Sequence, residues 1–217
     1  MRDNVIVKDR FNQVCGLLGL SDLDKRSMVF TSIADYYEVP GRMYHNFSHI
    51  VSCFNELDDY LEDNPDIDKL DINCLEMAIT YHDVFIDILI KDGKNEEISA
   101  MIAKKHLEFL GTPTKFTVLL IVGTFFRYSF DNIEHQLMCD IDYSILGQES
   151  DVFEKYEDGI YYEYMWWGGY SEEEYKKGRK EFLEKILALD RIYFTDYFFN
   201  KYEEKARENV KRLLKRF

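Results

Sequence analysis

The sequence is poor in the residues that build linkers and cross-linked scaffolds. It contains three prolines in 217 residues and no stretch rich in Ser, Gly and Pro, which argues against a flexible linker or a disordered arm. Its four cysteines, Cys15, Cys53, Cys74 and Cys139, lie far apart without a C-x-x-C pair. This pattern excludes a zinc ribbon and offers no disulfide framework, and it is typical of small core residues in a reducing compartment.

Long apolar runs and a basic excess are also missing. The longest apolar run, near residues 117–126, is too short to cross a bilayer as a helix, and the first residues lack the layout of a signal peptide. We therefore expect a cytoplasmic protein without a membrane partner. The net charge of −14 disfavours nucleic acid as a partner. It leaves room for a small phosphorylated molecule, since a metal ion and a few cations can reverse the local sign.

Apolar residues recur mainly at the three- and four-residue spacing of helices, and no alternating strand pattern competes with it. The expected fold is all-α, a compact multi-helix bundle in a single domain over residues 1–217. Its core would span about 40–150, and helices over about 151–217 would form a C-terminal extension. Sixteen Tyr and sixteen Phe give aromatic-rich helices that could support a homodimer.

Ten helices are predicted, separated by turn and capping signals such as Asn64-Pro65-Asp66 and Asp92-Gly93-Lys94. Their approximate ranges are 5–19, 22–37, 48–62, 71–83, 95–111, 114–126, 133–146, 150–165, 171–189 and 196–215.

Two histidines, His45 and His49, are four residues apart. Both lie on one helix face if the helix begins at or before His45. In the alternative, residues 44–46 cap the helix and only His49 is part of it. The other histidines, His106 and His135, have no neighbouring partner in the sequence and are interpreted as ordinary surface or core residues.

The adjacent pair His82-Asp83 ends an apolar helix. Two side chains at a helix end can converge on one ion, and imidazole with carboxylate suits a first-row divalent cation or, less well, magnesium. A buried ionised Asp83 also needs a cation or good hydrogen-bond donors. The alternative is that Asp83 only caps the following turn.

A third polar element is the pair Asp140 and Asp142 in an apolar segment. Carboxylates two positions apart on a helix diverge by about 200°, so only one of them should ligate a metal. The other would make a second-shell or capping contact.

The order His49, His82-Asp83 and a downstream Asp resembles the H…HD…D motif of the HD superfamily of metal-dependent phosphohydrolases. Further segments are similar, in order, to a bacterial branch of predicted HD phosphohydrolases. They read YHNFSHI at 44–50, YHDVF at 81–85, NEEISA at 95–100, DIDYSILG at 140–147, and Gly178-Arg179 followed by RIYFT at 191–195.

The resemblance implies an HD-type helical domain that holds one divalent metal ion, such as Mn, Fe, Co, Ni, Zn or Mg. The ligands it implies are His49, His82, Asp83 and Asp142, with Asp140 as a second-shell residue. Asp142 is preferred because the HD ligand usually sits in the second position of such D-x-D segments. The implied activity is hydrolysis of a small phosphorylated substrate, a nucleotide or a phosphomonoester.

Glu96 follows the predicted metal site by a short loop and is the candidate for activating water or protonating a leaving group. Its alternative role is an exposed first-turn acid that favours the helix dipole. His45, Asn46, Asn95 and Arg179 are candidates for binding the substrate by orienting its phosphate or hydroxyl groups, although Arg179 could instead be a solvated surface charge.

The chain departs from the branch at Arg127, where a histidine is common. Some HD proteins use extra histidines in that region to hold a second metal, so a mononuclear site is expected. This difference also disfavours one rival function, an HD-type iron oxygenase with a dinuclear site. A second rival is a ligand-binding or regulatory module that binds metal without hydrolysis.

Overall fold

The computed structural model of the protein describes residues 2–65, 70–90, 93–126 and 132–217. Within these ranges the chain is all-helical, with about 75% of its residues in helices and no strand. The ten α-helices, in chain order, are α1 (Arg2–Leu17), α2 (Leu23–Tyr37), α3 (Phe47–Asp63), α4 (Ile72–Tyr81), α5 (Lys94–Leu110), α6 (Lys115–Phe126), α7 (Ile133–Tyr143), α8 (Ser150–Tyr162), α9 (Glu172–Leu187) and α10 (Asp196–Leu214).

Side-chain caps define where several of these helices begin. Asp22, Asn46, Asp71 and Thr195 each accept a hydrogen bond from a backbone N–H in the first turn of α2, α3, α4 and α10. Each such cap stabilises a helix by about 1 kcal/mol.

The central element of the bundle is α4. All of residues 75–81 are buried, and the helix contacts α1, α3, α5, α6 and α7. A helix that is apolar on nearly every side has to be surrounded in this way. His82, which follows its C-terminal end, therefore lies in the protein interior.

Two predicted helices end differently from the sequence-based ranges. The helix predicted over 133–146 is α7 followed by a 3-10 turn, Ser144–Gly147, and the one predicted over 150–165 is α8 followed by a π-helical turn, Glu163–Trp167. The 3-10 turn packs against α10 so closely that a Cβ on Gly147 would lie 2.5 Å from Cβ of Tyr202. Only glycine fits this contact.

The hydrophobic core is one cluster that includes residues from Val7 in α1 to Leu213 in α10. Among the described residues, no helix is both long and apolar enough to cross a membrane. Asp66, Asp92 and Arg127, which the sequence analysis uses for a helix break, a turn and a departure from the resemblance, lie outside the described residues.

Candidate metal centre

The first predicted ligand, His49, lies in the first turn of α3. The side chain of Asn46 accepts a hydrogen bond from the backbone N–H of Ser48 at 2.8 Å and caps the helix. His45 therefore precedes the helix, as in the second of the two sequence-based alternatives. The His49 side chain is buried and points toward the end of α4.

The second ligand pair stands where α4 ends. His82 is the C-cap residue, and its Nδ1 donates a hydrogen bond to the carbonyl oxygen of Ile79 at 2.9 Å. With the proton assigned to Nδ1, the Nε2 lone pair is free to bind a metal, which is the usual arrangement for a ligating histidine.

A buried arginine holds the backbone after His82. Arg42 donates from one terminal nitrogen to the carbonyl oxygen of Asp83 at 2.7 Å and from the other to that of Val84 at 2.9 Å. These bonds fix the turn that aims the Asp83 side chain. Sequence reasoning missed Arg42, because no local pattern tells a buried guanidinium from a solvated one.

The four predicted ligands converge in space. The Nε2 atoms of His49 and His82 are 3.1 Å apart. The Asp83 Oδ2 atom lies 3.4 Å and 3.2 Å from these two nitrogens, and the Asp142 Oδ1 atom lies 3.3 Å and 3.5 Å from them. All four donor atoms lie within 4.8 Å of one another.

These separations fit a coordination polyhedron. At metal–ligand distances of about 2.1 Å, neighbouring ligand atoms are about 3.0 Å apart in an octahedron and about 3.4 Å apart in a tetrahedron. Two imidazole nitrogens and two carboxylate oxygens are donors that first-row divalent cations accept. The residues present therefore fit a divalent metal ion.

The electrostatics of the four groups follow from their mutual contacts. Burial alone would lower the pKa of His82, but the Asp83 and Asp142 carboxylates outweigh it and raise the pKa well above its ordinary value. Burial would raise the pKa values of Asp83 and Asp142, yet the neighbouring histidines bring both below the ordinary range. The carboxylates are thus ionised, and a proton or another cation has to accompany them.

The two aspartates of α7 have different partners. Asp142 faces the histidines, whereas Asp140 is fully buried and accepts hydrogen bonds from the backbone N–H groups of Phe194 and Thr195 and from the Thr195 hydroxyl, each at 2.8 Å. These bonds anchor the backbone at 194–195, while the cap of α10 is the Thr195 side chain. They tie α7 to the start of α10.

A cavity of about 990 Å³ opens beside the centre. Asp83 and Asp142 lie at its wall together with three other residues singled out in the sequence, His45, Asn95 and Glu96. Burial raises the pKa of Glu96, and the negative charges of Asp83 and Asp142 add to this effect. Glu96 is therefore a cavity-lining acid near the metal centre, which differs from the exposed first-turn alternative.

The two asparagines make structural hydrogen bonds. The Asn95 side chain accepts from the backbone N–H of Asp87 at 3.0 Å and donates to the Asp87 carbonyl at 3.1 Å. Besides capping α3, Asn46 donates to the carbonyl oxygens of Arg42 and Met43, and it lines a second, smaller cavity of about 360 Å³. That cavity also borders His49 and Asp142.

Arg179 lines the large cavity but is not a solvated charge. It forms a bidentate ion pair with the buried carboxylate of Glu157 and donates to the Tyr156 hydroxyl at 2.7 Å. Its guanidinium also lies 4.8 Å from the ring centre of Phe182. The positive charge of Arg179 is thus largely neutralised within the protein.

A second residue that sequence reasoning missed is Glu163, in the π-helical turn. Its fully buried carboxylate lies 2.6 Å from Nδ1 of His45 and accepts hydrogen bonds from the backbone N–H groups of Tyr44 and His45. Burial alone would lower the pKa of His45, but Glu163 raises it above its ordinary value. The only sequence signal is an acid inside an aromatic run.

The remaining histidines lie away from the centre. Nδ1 of His106 is 3.3 Å from the Tyr81 hydroxyl, and Nε2 of His135 is 3.8 Å from the Cys139 thiol. Cys53 packs beside His49, with its sulfur 3.8 Å from either ring nitrogen.

Comparison of the chain with protein-family models, with curated proteins and with solved structures found no match. Function is therefore inferred from the centre, its cavity and the order of the motifs.

Proposed function

We propose that the protein is a metal-dependent phosphohydrolase of the HD type that acts on a small phosphorylated molecule, a nucleotide or a phosphomonoester. The observation that carries this proposal is the convergence of His49, His82, Asp83 and Asp142, of which Asp83 and Asp142 line a cavity of about 990 Å³. The motif order that resembles HD phosphohydrolases supports the same activity.

The four converging residues would hold one divalent cation. When bound, such a cation supplies Lewis-acid chemistry, in that it offsets charge on phosphate and lowers the pKa of coordinated water. Two features of the chain orient these residues for the cation. His82 keeps its proton on Nδ1 through the Ile79 carbonyl, and Arg42 holds the backbone of Asp83.

Glu96 is the proposed proton-transfer group. Its carboxyl lines the cavity. Its pKa is raised, so it holds its proton at higher pH than an exposed glutamate does. An acid of this kind can take a proton from water or return one to the leaving oxygen.

The cavity suits a substrate with a polar end and a larger body. Acidic and imidazole groups cluster at the metal end, while Ile86, Ile88, Tyr164 and Phe182 contribute apolar and aromatic wall. These side chains would exclude water from the reacting phosphate and contact the rest of the substrate.

The decisive experiment combines metal analysis of the purified protein with a phosphate-release screen over nucleotides and phosphomonoesters in Mn²⁺, Co²⁺, Ni²⁺ or Mg²⁺. We expect bound metal near one equivalent and release of phosphate. His82→Ala should lose both, and His106→Ala, the matched control outside the centre, should keep both.

Other results would redirect the assignment. Equal metal content in the two variants would contradict the metal site. Metal binding without hydrolysis of any substrate would favour a binding module, and oxygen consumption with reduced iron would favour an oxygenase.

Glu96→Gln tests the proton-transfer role separately. The change preserves the shape of the side chain and removes its proton exchange, so kcat should fall by about 10²- to 10⁴-fold with metal content unchanged. A Glu96→Gln enzyme with wild-type kcat would exclude Glu96 as the catalyst.

A further inference from the structure

Within the described residues, the Glu163 carboxylate is buried without a lysine or arginine partner. Its side chain is 0% exposed, and among the described residues its partners are the His45 ring and two backbone N–H groups. Burying a carboxylate costs several kcal/mol unless its hydrogen bonds are satisfied. The His45 ring and the two backbone N–H groups are therefore the contacts that offset the cost of burying this carboxylate.

The local backbone supports the same conclusion. Glu163 opens the π-helical turn after α8, and its carbonyl oxygen accepts the N–H of Gly168 five residues later at 2.9 Å. Single π-helical turns occur frequently at functional sites. Here the turn lies at the point where the carboxylate meets His45.

His45 is held at several atoms. Glu163 binds its backbone N–H at 3.0 Å and its Nδ1 at 2.6 Å, and Arg42 donates to its carbonyl oxygen at 3.2 Å. The side chain is 20% exposed and lines the large cavity beside Asp83 and Asp142. In the part of the chain that the structure describes, Nε2 makes no hydrogen bond, and it is the ring atom left for a ligand.

We propose that Glu163 is a positioning residue that orients the His45 ring, so that Nε2 donates a hydrogen bond to a phosphate oxygen of the substrate. This inference rests on the proposed function. The ring donates from Nδ1 to Glu163 and from Nε2 to the anion, which uses both of its nitrogens as donors. Partners that orient a metal-ligating histidine typically contribute 10- to 100-fold in affinity or activity, and we expect an effect of the same order on phosphate binding here.

Two substitutions test the His45 ring and the Glu163 carboxylate separately. In His45→Asn the amide can still donate to Glu163, so the buried carboxylate keeps its partner while Nε2 is removed. In Glu163→Gln the amide oxygen can still accept both backbone N–H groups, but the amide NH₂ can only donate to an unprotonated Nδ1, so the ring loses its ion pair and meets the anion as a neutral imidazole. Neither change touches a predicted metal ligand.

The probe is inorganic phosphate, titrated calorimetrically into the Mn²⁺-loaded protein, with metal content and thermal midpoint measured for each variant. We expect His45→Asn and Glu163→Gln to weaken phosphate binding by about 10- to 100-fold at unchanged metal content. The double variant should bind within about threefold of His45→Asn alone, because Glu163 acts through His45.

Phosphate binding at wild-type strength in either single variant would overturn the inference, as would additive losses in the double variant or a wild type that does not bind phosphate. The two proposals remain distinguishable. If wild type and His45→Asn hydrolyse the substrate equally well, the role of His45 is refuted and the proposed function is not. If phosphate binding depends on His45 and Glu163 but the protein hydrolyses no substrate, the proposed function is refuted and the role of His45 and Glu163 is not.

Discussion

Two buried polar regions of this protein satisfy their charges in different ways. In the first, Arg179 pairs with Glu157 and also donates to the Tyr156 hydroxyl, so that a cation and an anion meet directly. In the metal centre, two carboxylates meet only imidazoles. Within the described ranges, neither Asp83 nor Asp142 forms an ion pair with Arg or Lys.

The difference distinguishes a structural ion pair from a candidate metal-binding site. The Arg179–Glu157 pair is complete within the chain and needs no further ion. In the centre, two ionised carboxylates and two facing Nε2 atoms require protons or a metal ion to balance them. The same contrast recurs within α7, where Asp140 accepts hydrogen bonds from backbone N–H groups and a hydroxyl, whereas Asp142 faces the imidazoles of His49 and His82.

The largest expected effect comes from Asp142→Asn. Losing one of four converging donors should abolish stoichiometric metal binding and, with it, phosphate release, while the helical content stays unchanged. Metal analysis after dialysis measures this result.

Asp140→Asn, two residues earlier, is the matched control for Asp142→Asn. It should keep the metal but lose about 3 kcal/mol of unfolding free energy in urea, because an amide NH₂ would face the backbone donors of the 194–195 turn. If Asp140→Asn lost metal and Asp142→Asn did not, the two assignments would have to be exchanged.

Removing the Arg179 cation from its pair with Glu157 should affect stability rather than metal binding. Arg179→Met leaves the buried carboxylate of Glu157 without its partner, which we expect to destabilise the fold by about 3–5 kcal/mol at unchanged metal content. Urea denaturation and metal analysis test this. A stable variant with weakened substrate binding would instead restore Arg179 to the substrate-binding role predicted from the sequence.

The smallest effect is a pH dependence of metal affinity. The carboxylates raise the pKa of His82, and a metal binds only the unprotonated Nε2. Affinity should therefore fall as the pH drops through that raised pKa, by about tenfold per pH unit for each proton displaced. Competition with a chelator at several pH values measures the slope. Affinity that stays constant with pH would mean that His82 does not ligate.

The helices follow from local signals, and the candidate ligands of the metal centre follow from local signals together with the resemblance of the motif order. Apolar spacing and caps such as Asp71 predict where helices lie, and the polar groups of His82-Asp83 and Asp142 stand out because they occur in apolar segments. The ends of α7 and α8 were predicted less well, since 3-10 and π turns leave no periodic signature. Gly147, whose place under Tyr202 shapes one of these turns, looks like an ordinary helix stop in the sequence.

By itself, the sequence determined the all-helical class, because that depends on residue type and short-range spacing, and the resemblance of its motif order to HD phosphohydrolases implied the set of residues that converge in the centre. The tertiary structure alone decided which polar groups already have partners. It brought Glu163 to His45 across 118 positions and Glu157 to Arg179, and it turned Asp140 toward the 194–195 turn. Such pairings arise from packing between distant helices, and no local pattern encodes them.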